Sequence, residues 1–360
     1  MNMTSTEQPD EQPDEQPAMG DMQPVGVALV GYGWWGKVIG AQLVASRHFH
    51  LVSVVELDPQ IRRTLTEDAA RFGFGVALQL SEVLVDPAVE AVVLCTPHPQ
   101  HAEQIVAAAR AGRHVFCEKP LCLTLADAER ALAECESRGL VVGIGHERRF
   151  EPAIIDMRRD IAAGKLGTLL QVEGNFSQDK FFALPKDNWR LSNRHAPVGP
   201  LSATGIHIVD LAIALLGPAE AVWARLATRG SEFENGDTLG LLLAFPGGAN
   251  ALVSAILATS FEGRFAVYGS KGWIEVRDRT HPEHPTGWDV TTAMRDGERH
   301  TRFYPPASTV LANLTAFAEA VRGRSPYPVS AREMRANVAA LEAIMGSVRS
   351  HGVETIARVD

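Results

Sequence analysis

From Val25 onward the chain alternates short apolar runs with amphipathic stretches, the pattern of βαβ units and a parallel sheet. Val25–Val30 (VGVALV) predicts a buried strand and Trp34–Ser46 a helix. His50–Glu56 predicts a second strand, and Pro59, well suited to a first helical turn, opens a helix to about Phe72. Ala91–Cys95, His114–Glu118 and Val141–Gly145 continue the strands, with helices over Gln100–Ala111 and Thr124–Arg138 between them.

Beyond about residue 150 the rhythm changes. After a helix near Glu151–Ala163 come strands at Leu169–Phe176, Ala221–Thr228, Asp237–Phe245, Asn250–Thr259, Phe265–Tyr268 and Trp273–Arg277, with few helices between them. Pro246-Gly247-Gly248 reads as a hairpin turn, so this part predicts a mostly antiparallel sheet in an α+β arrangement. Leu239–Phe245 and Ala249–Ala258 are apolar at both parities, which requires cover on both faces. The chain's own helices over 308–350 can supply one cover; the second is either more of this chain or another copy of it.

Charge adds a boundary. The chain has 34 Lys and Arg against 43 Asp and Glu, and six of the nine excess negative charges fall within residues 1–24, where EQPD-EQPD-EQP repeats without a single Lys or Arg. That composition predicts a disordered acidic tail. Without clustered basic residues, nucleic acid and anionic membrane are poor partners. No run approaches the ~18 apolar residues of a membrane span and the start lacks a basic signal region, so a cytoplasmic protein is expected. Cys95, Cys117, Cys122 and Cys135 show no CxxC spacing and predict reduced, mostly buried thiols.

Candidate chemistry begins at Gly31-Tyr32-Gly33-Trp34-Trp35-Gly36, a GxGxxG motif placed directly after a strand and opening a helix. Gly31 permits the turn, Gly33 lets a pyrophosphate approach the backbone, Gly36 allows close helix packing, and the helix start offers free N–H groups. Glu56, 20 residues after Gly36, ends the next strand where a carboxylate takes the adenosine ribose hydroxyls. It would repel a 2′-phosphate, favouring NAD over NADP, although Arg62 and Arg63 keep NADP open. Thr96-Pro97-His98 with His101 forms a polar loop at a strand's carboxyl end, facing a cofactor crevice or starting a helix. Glu118-Lys119-Pro120 lies at the same edge, where a desolvated Lys119 could move a substrate proton. His281-Pro282-Glu283-His284 lacks a third ligand and a helix to present it, so no metal site is expected.

These motifs, with Ala111–Val115 and Gly205-Ile206-His207 before Asp210, resemble the Gfo/Idh/MocA oxidoreductases over about residues 25–350. The resemblance implies an α/β chain. An N-terminal Rossmann domain, 25–148, would bind NAD(P), and a C-terminal α+β domain, 149–360, would carry a large open sheet. It implies hydride transfer on a sugar, cyclitol or related alcohol, with Lys119 and His207 catalytic, and a homodimer or homotetramer built through that sheet. It places the cofactor against Gly31–Gly36, Glu56, Thr96, Pro97, His98, His101, Glu118 and Lys119, and the small-molecule substrate against Lys119, His146, Arg149 and His207, with Asn175 offered from the second domain; Arg149 reads equally as an interdomain salt-bridge partner. Gln178, Asp179, Lys180, Lys186 and Trp189-Arg190 fall in or near a polar loop that can hold an anionic substrate.

The chain departs from the family twice. Ala203 stands four residues before His207, where members that oxidise cyclitols usually carry Asp, and Glu147 stands where relatives often carry Asn. Asp210 reads as a structural partner on the His207 helix. The missing acid keeps two other readings open: a dihydrodiol dehydrogenase, whose aromatic product supplies driving force, and a non-catalytic NAD(P)- or sugar-sensing protein.

Overall fold

The computed structural model describes residues 23–359. The acidic tail expected over 1–24 lies outside these residues apart from Gln23 and Pro24, whose carbonyl oxygens accept N–H groups of Arg322 at 2.9 and 2.7 Å.

The first unit runs β1 (Val25–Val30), α1 (Trp34–Ala45), β2 (Phe49–Val55), α2 (Pro59–Phe72), β3 (Gly75–Ala77), α3 (Leu80–Leu84), β4 (Ala91–Leu94), α4 (His101–Arg110), β5 (His114–Cys117), α5 (Leu125–Glu136) and β6 (Val142–Ile144). Its parallel sheet has the order β3-β2-β1-β4-β5-β6. The order reverses between β1 and β4, and a crevice forms outside their carboxyl ends at such a switch. β1, fully buried on both faces, needs its unbroken apolar sequence.

The second unit continues with α6 (Pro152–Ala162), β7 (Leu169–Ser177), α7 (Ile206–Leu216), β8 (Ala221–Ala227), β9 (Thr238–Ala244), β10 (Asn250–Ile256), β11 (Glu262–Gly269), β12 (Gly272–Asp278), β13 (Trp288–Met294) and β14 (Arg299–Tyr304). It ends with α8 (Thr309–Val321), α9 (Ala331–Ser350) and β15 (Val353–Thr355). The nine strands pair as β14-β13-β12-β11-β7-β10-β9-β8-β15, antiparallel except for β7 beside β10. Pro246–Gly248 joins β9 to β10, with both glycines at positive φ as the turn demands.

Helices α6, α7 and α9 cover one face of this sheet and close its core. Gly174 in β7 sets how closely α7 lies, because a Cβ there would stand 2.2 Å from Ile208. Among the described residues, the other face stays exposed over β8 to β10. Trp223, Leu242 and Leu252 stand side by side across β8, β9 and β10, each about 40% exposed.

The division expected after residue 148 is not a clean cut. Leu314 and Phe317 of α8 pack into the core of the parallel sheet, and Met334 and Val338 of α9 into the core on its other side. The chain therefore returns to its first unit after completing its second. All four cysteines are free thiols; Cys117, Cys122 and Cys135 are buried and Cys95 is half-buried. Among the described residues no helix is long and apolar enough to cross a membrane.

Replacing Gly174 with Ala forces α7 away from β7 and should lower unfolding stability by about 1–3 kcal/mol. Urea denaturation checks this, with an unchanged midpoint as the contrary result.

Candidate active site

Four consecutive buried polar residues follow β6: His146, Glu147, Arg148 and Arg149. A buried charge needs a partner, and both arginines have one. Arg148 gives Nε to Glu151 at 2.9 Å and a terminal nitrogen to Asp278 at 2.6 Å. Arg149 grips both Asp210 oxygens at 2.7 Å and also reaches Glu333. The first arginine ties the segment to β12, and the second ties it to α7 and α9. Arg149, expected to touch substrate, is consumed by this clamp. Asp210 has the structural role the sequence suggested, with Arg149 as the partner that the sequence did not identify.

Helix α7 is preceded by a widened π-type turn over Leu201–Gly205, in which the N–H of Ile206 bonds the carbonyl of Leu201. The turn aims two backbone carbonyls at Lys119, whose Nζ donates to Ala203 O at 2.6 Å and Ser202 O at 3.2 Å. Burial pulls the Lys119 ammonium below its ordinary pKa, while the carboxylates of Glu147 and then Glu118 hold it up. Glu118 itself is pushed up to about 7, by burial first and by Glu147 second. His207 opens α7, 4% exposed, and burial drives its pKa well below the ordinary value, helped by Lys119 and His146. Its imidazole is therefore neutral at pH 7 and able to accept a proton.

Lys119 and His207 line one cleft of about 890 Å³, counting space open to solvent, between the crevice edge and the second sheet. Trp34 and Trp35 line one end, Thr96 and His98 come from the loop after β4, and Phe176, Phe181 and Trp189 form aromatic walls. Arg190 stacks over Trp189 with its guanidinium 4.3 Å from the ring centre, and Glu118 is the carboxylate that acts on its charge. Burial lowers its pKa to about 10.

The Gly-rich turn fits a dinucleotide. Gly31 has φ +92° and a Cβ there would meet Cys95 O at 2.9 Å; a Cβ on Gly36 would come 2.1 Å from Gly31 O. Around Gly33 nothing lies within 4 Å, and no side chain caps the start of α1, so its N–H groups face open space. Glu56 closes the end of β2 by accepting the Tyr32 and Asp58 N–H groups at 2.7 and 2.9 Å. Tyr32 faces away, its hydroxyl on Asp68, so only its backbone borders the cradle.

Three other expected contacts are corrected. His101 is completely buried, its ring nitrogens 2.9 Å from the carbonyls of Pro120 and Thr96, so it staples two crevice loops together instead of meeting cofactor. His146 sits behind His207, its ring centre 5.9 Å away and its Nε2 3.6 Å from Asp210. Asn175 has the opposite parity from Phe176 in β7 and lies outside the cleft, bonded by Ser177.

Sequence reasoning missed Glu147 as a member of the site, 3.7 Å from His207 Nδ1. Its departure from the family's amide was the available signal. It also missed the cleft roles of His281 and Glu283. His281 holds Gln178 at 2.7 Å and Lys180 at 3.0 Å, and Lys180 pairs with Glu283, so the loop after β12 is tied across the cleft. Lys186, 94% exposed, belongs to the surface.

Residues 25–146 match the profile of the oxidoreductase family with an NAD-binding Rossmann fold, and residues 154–275 that of the GFO/IDH/MocA C-terminal domain. The 1,5-anhydro-D-fructose reductase of Ensifer adhaerens is 30% identical over 302 residues, 80% of this chain and 88% of that one. The trans-1,2-dihydrobenzene-1,2-diol dehydrogenase of Bos taurus is 28% identical over 236 residues, 65% of this chain and 66% of that one. The aldose-aldose oxidoreductase from Caulobacter crescentus, solved with glycerol, superposes with a TM-score of 0.81 at 26% identity, covering 93% of this chain and 100% of that one.

Gly33→Val puts a side chain into the open space of the cradle while leaving the protein's own packing intact. NADH fluorescence titration should show binding weakened roughly tenfold or more, about 1.4 kcal/mol, with thermal unfolding unchanged.

Proposed function

The chain belongs to the Gfo/Idh/MocA family of NAD(P)-dependent oxidoreductases, and from that footing we propose that it interconverts a secondary alcohol and a ketone on a small cyclic polyol, with Lys119 and His207 handling the proton. The observation that carries this reading is the convergence of a desolvated ammonium and a neutral imidazole on one cleft at the carboxyl edge of the parallel sheet. When bound, NAD(P) supplies the two-electron hydride chemistry, held by Gly31–Gly36 and Glu56.

The residues of the chain position the substrate and move its proton. The Lys119 ammonium spends two donors on Ser202 and Ala203, which fixes Nζ and leaves its third for a substrate oxygen. His207, neutral in its buried setting, accepts the hydroxyl proton in the oxidation direction. Aromatic walls suit the apolar face of a ring, and Arg190 and Gln178 offer donors at its rim.

Those same walls support a second reading, a cyclic dihydrodiol as the alcohol, in line with the activity named for the bovine relative. A sensor without catalysis has less support, because its main argument was an incomplete site and the cleft holds both a base and an ammonium. We also infer that the open sheet face pairs with a second copy through Trp223, Leu242 and Leu252, since a contiguous apolar row of this kind marks an interface.

Lys119→Ala should lower kcat by roughly 10²-fold or more with NADH affinity nearly intact. Absorbance at the nicotinamide band, with NAD and NADP against polyols, keto-sugars and dihydrodiols, measures it; near-normal turnover would sink the assignment. Trp223→Glu should reduce the sedimenting mass to that of one chain, and an unaltered assembly would place the interface elsewhere.

A further inference from the structure

His207 has no acid at position 203, four residues before it, yet a carboxylate approaches its ring from the segment after β6. Glu147, 6% exposed, brings Oε2 to 3.7 Å from His207 Nδ1. That nitrogen is buried and has no hydrogen-bond partner among the described residues, and no other carboxylate there lies within 4 Å of the ring. A buried polar atom left unsatisfied calls for an explanation, and here the missing partner stands about half an ångström beyond bonding distance. Catalytic hydrogen bonds are often long without ligand and tighten when substrate seats.

The neighbourhood fits. Glu147 lines the same cleft as Lys119 and is the foremost charge holding that ammonium up. Glu118 is already a second buried acid there. An Asp at 203 would add a third carboxylate around one ammonium, a costly arrangement beside two acids that are already buried.

We propose that Glu147 is the positioning residue for His207, taking the place of the absent acid at 203. It accepts the Nδ1–H, which leaves Nε2 bare toward the cleft and balances the imidazolium once Nε2 is protonated. The inference rests on the roles assigned above to Lys119 and His207. In oxidation the substrate O–H proton would pass to His207 Nε2, and the carbinol hydrogen would leave with its electron pair to bound NAD(P)⁺, the two electrons that the alcohol carbon gives up in becoming the ketone.

The test is the His207 ring tautomer in the full-length protein saturated with NADH, read by ¹⁵N NMR of histidine-labelled samples and assigned with His207→Gln. The wild type should show Nδ1–H, and Glu147→Ala should lose that preference while still binding NADH. An Nε2–H tautomer in the wild type, or the same tautomer in both proteins, overturns the proposal. So does loss of NADH binding along with folding in Glu147→Ala, which would make Glu147 a structural residue. With the alcohol turned over fastest in the absorbance screen, Glu147→Ala should cut kcat at least tenfold with KM little changed, and Glu147→Asp should recover part of it. If His207→Ala and Lys119→Ala abolish turnover while Glu147→Ala keeps it, only this inference fails. If those two keep turnover, the assignment beneath it fails.

Discussion

Two buried arginine side chains hold the site in place. An unpaired charge in the interior costs several kcal/mol, so Arg148 and Arg149 cannot move without taking their carboxylates with them. Their partners lie on β12, α7 and α9, and on Glu151, the residue just before α6. The segment that ends the parallel sheet is thereby fastened to the second sheet and to the helices over it. His146 and Glu147 precede the two clamped residues and inherit their precision. Such pairs add little net stability over apolar packing; what they supply here is a fixed geometry between two halves of a cleft.

The nucleotide half of the fold was legible because its signals are local. Apolar runs, a first-turn proline at Pro59 and three glycines with distinct steric duties specify β1, α1, β2 and α2 within a residue or two. The second half was less so. β14 carries Arg299, His300, Thr301 and Arg302, nearly all exposed on an edge, and has no apolar alternation to read. β3 and β15 have only three residues each.

The site divided along the same line. Gly31, Gly33, Gly36, Lys119 and His207 could be picked out from motif and context, but whether a polar side chain faces a cleft depends on long-range pairing. Arg149 looked available until Asp210, 61 residues away, was placed against it. Asn175 fell on the wrong face by one step of strand parity, since side chains alternate between faces. Glu147 was noticed only as an oddity, because its relation to His207 spans 60 residues and two elements. His281 and Glu283 were weighed as metal ligands and rejected; their pairing with Lys180 and Gln178 needed the sheet to bring the two loops together.

The widened turn before α7 fixes the angular phase of everything after it. An α-helix advances about 100° per residue, so the extra residue accommodated between Leu201 and Ile206 sets the heading of His207 relative to the strand below. Closing that turn into regular helix would swing the imidazole off the cleft by about that angle, with the composition of the site unchanged. Lys119, by drawing on the carbonyls of Ser202 and Ala203, acts as the pin that keeps the phase. The ammonium and the imidazole are therefore geared to one another through the backbone, and neither can be repositioned in evolution or by design without resetting the other.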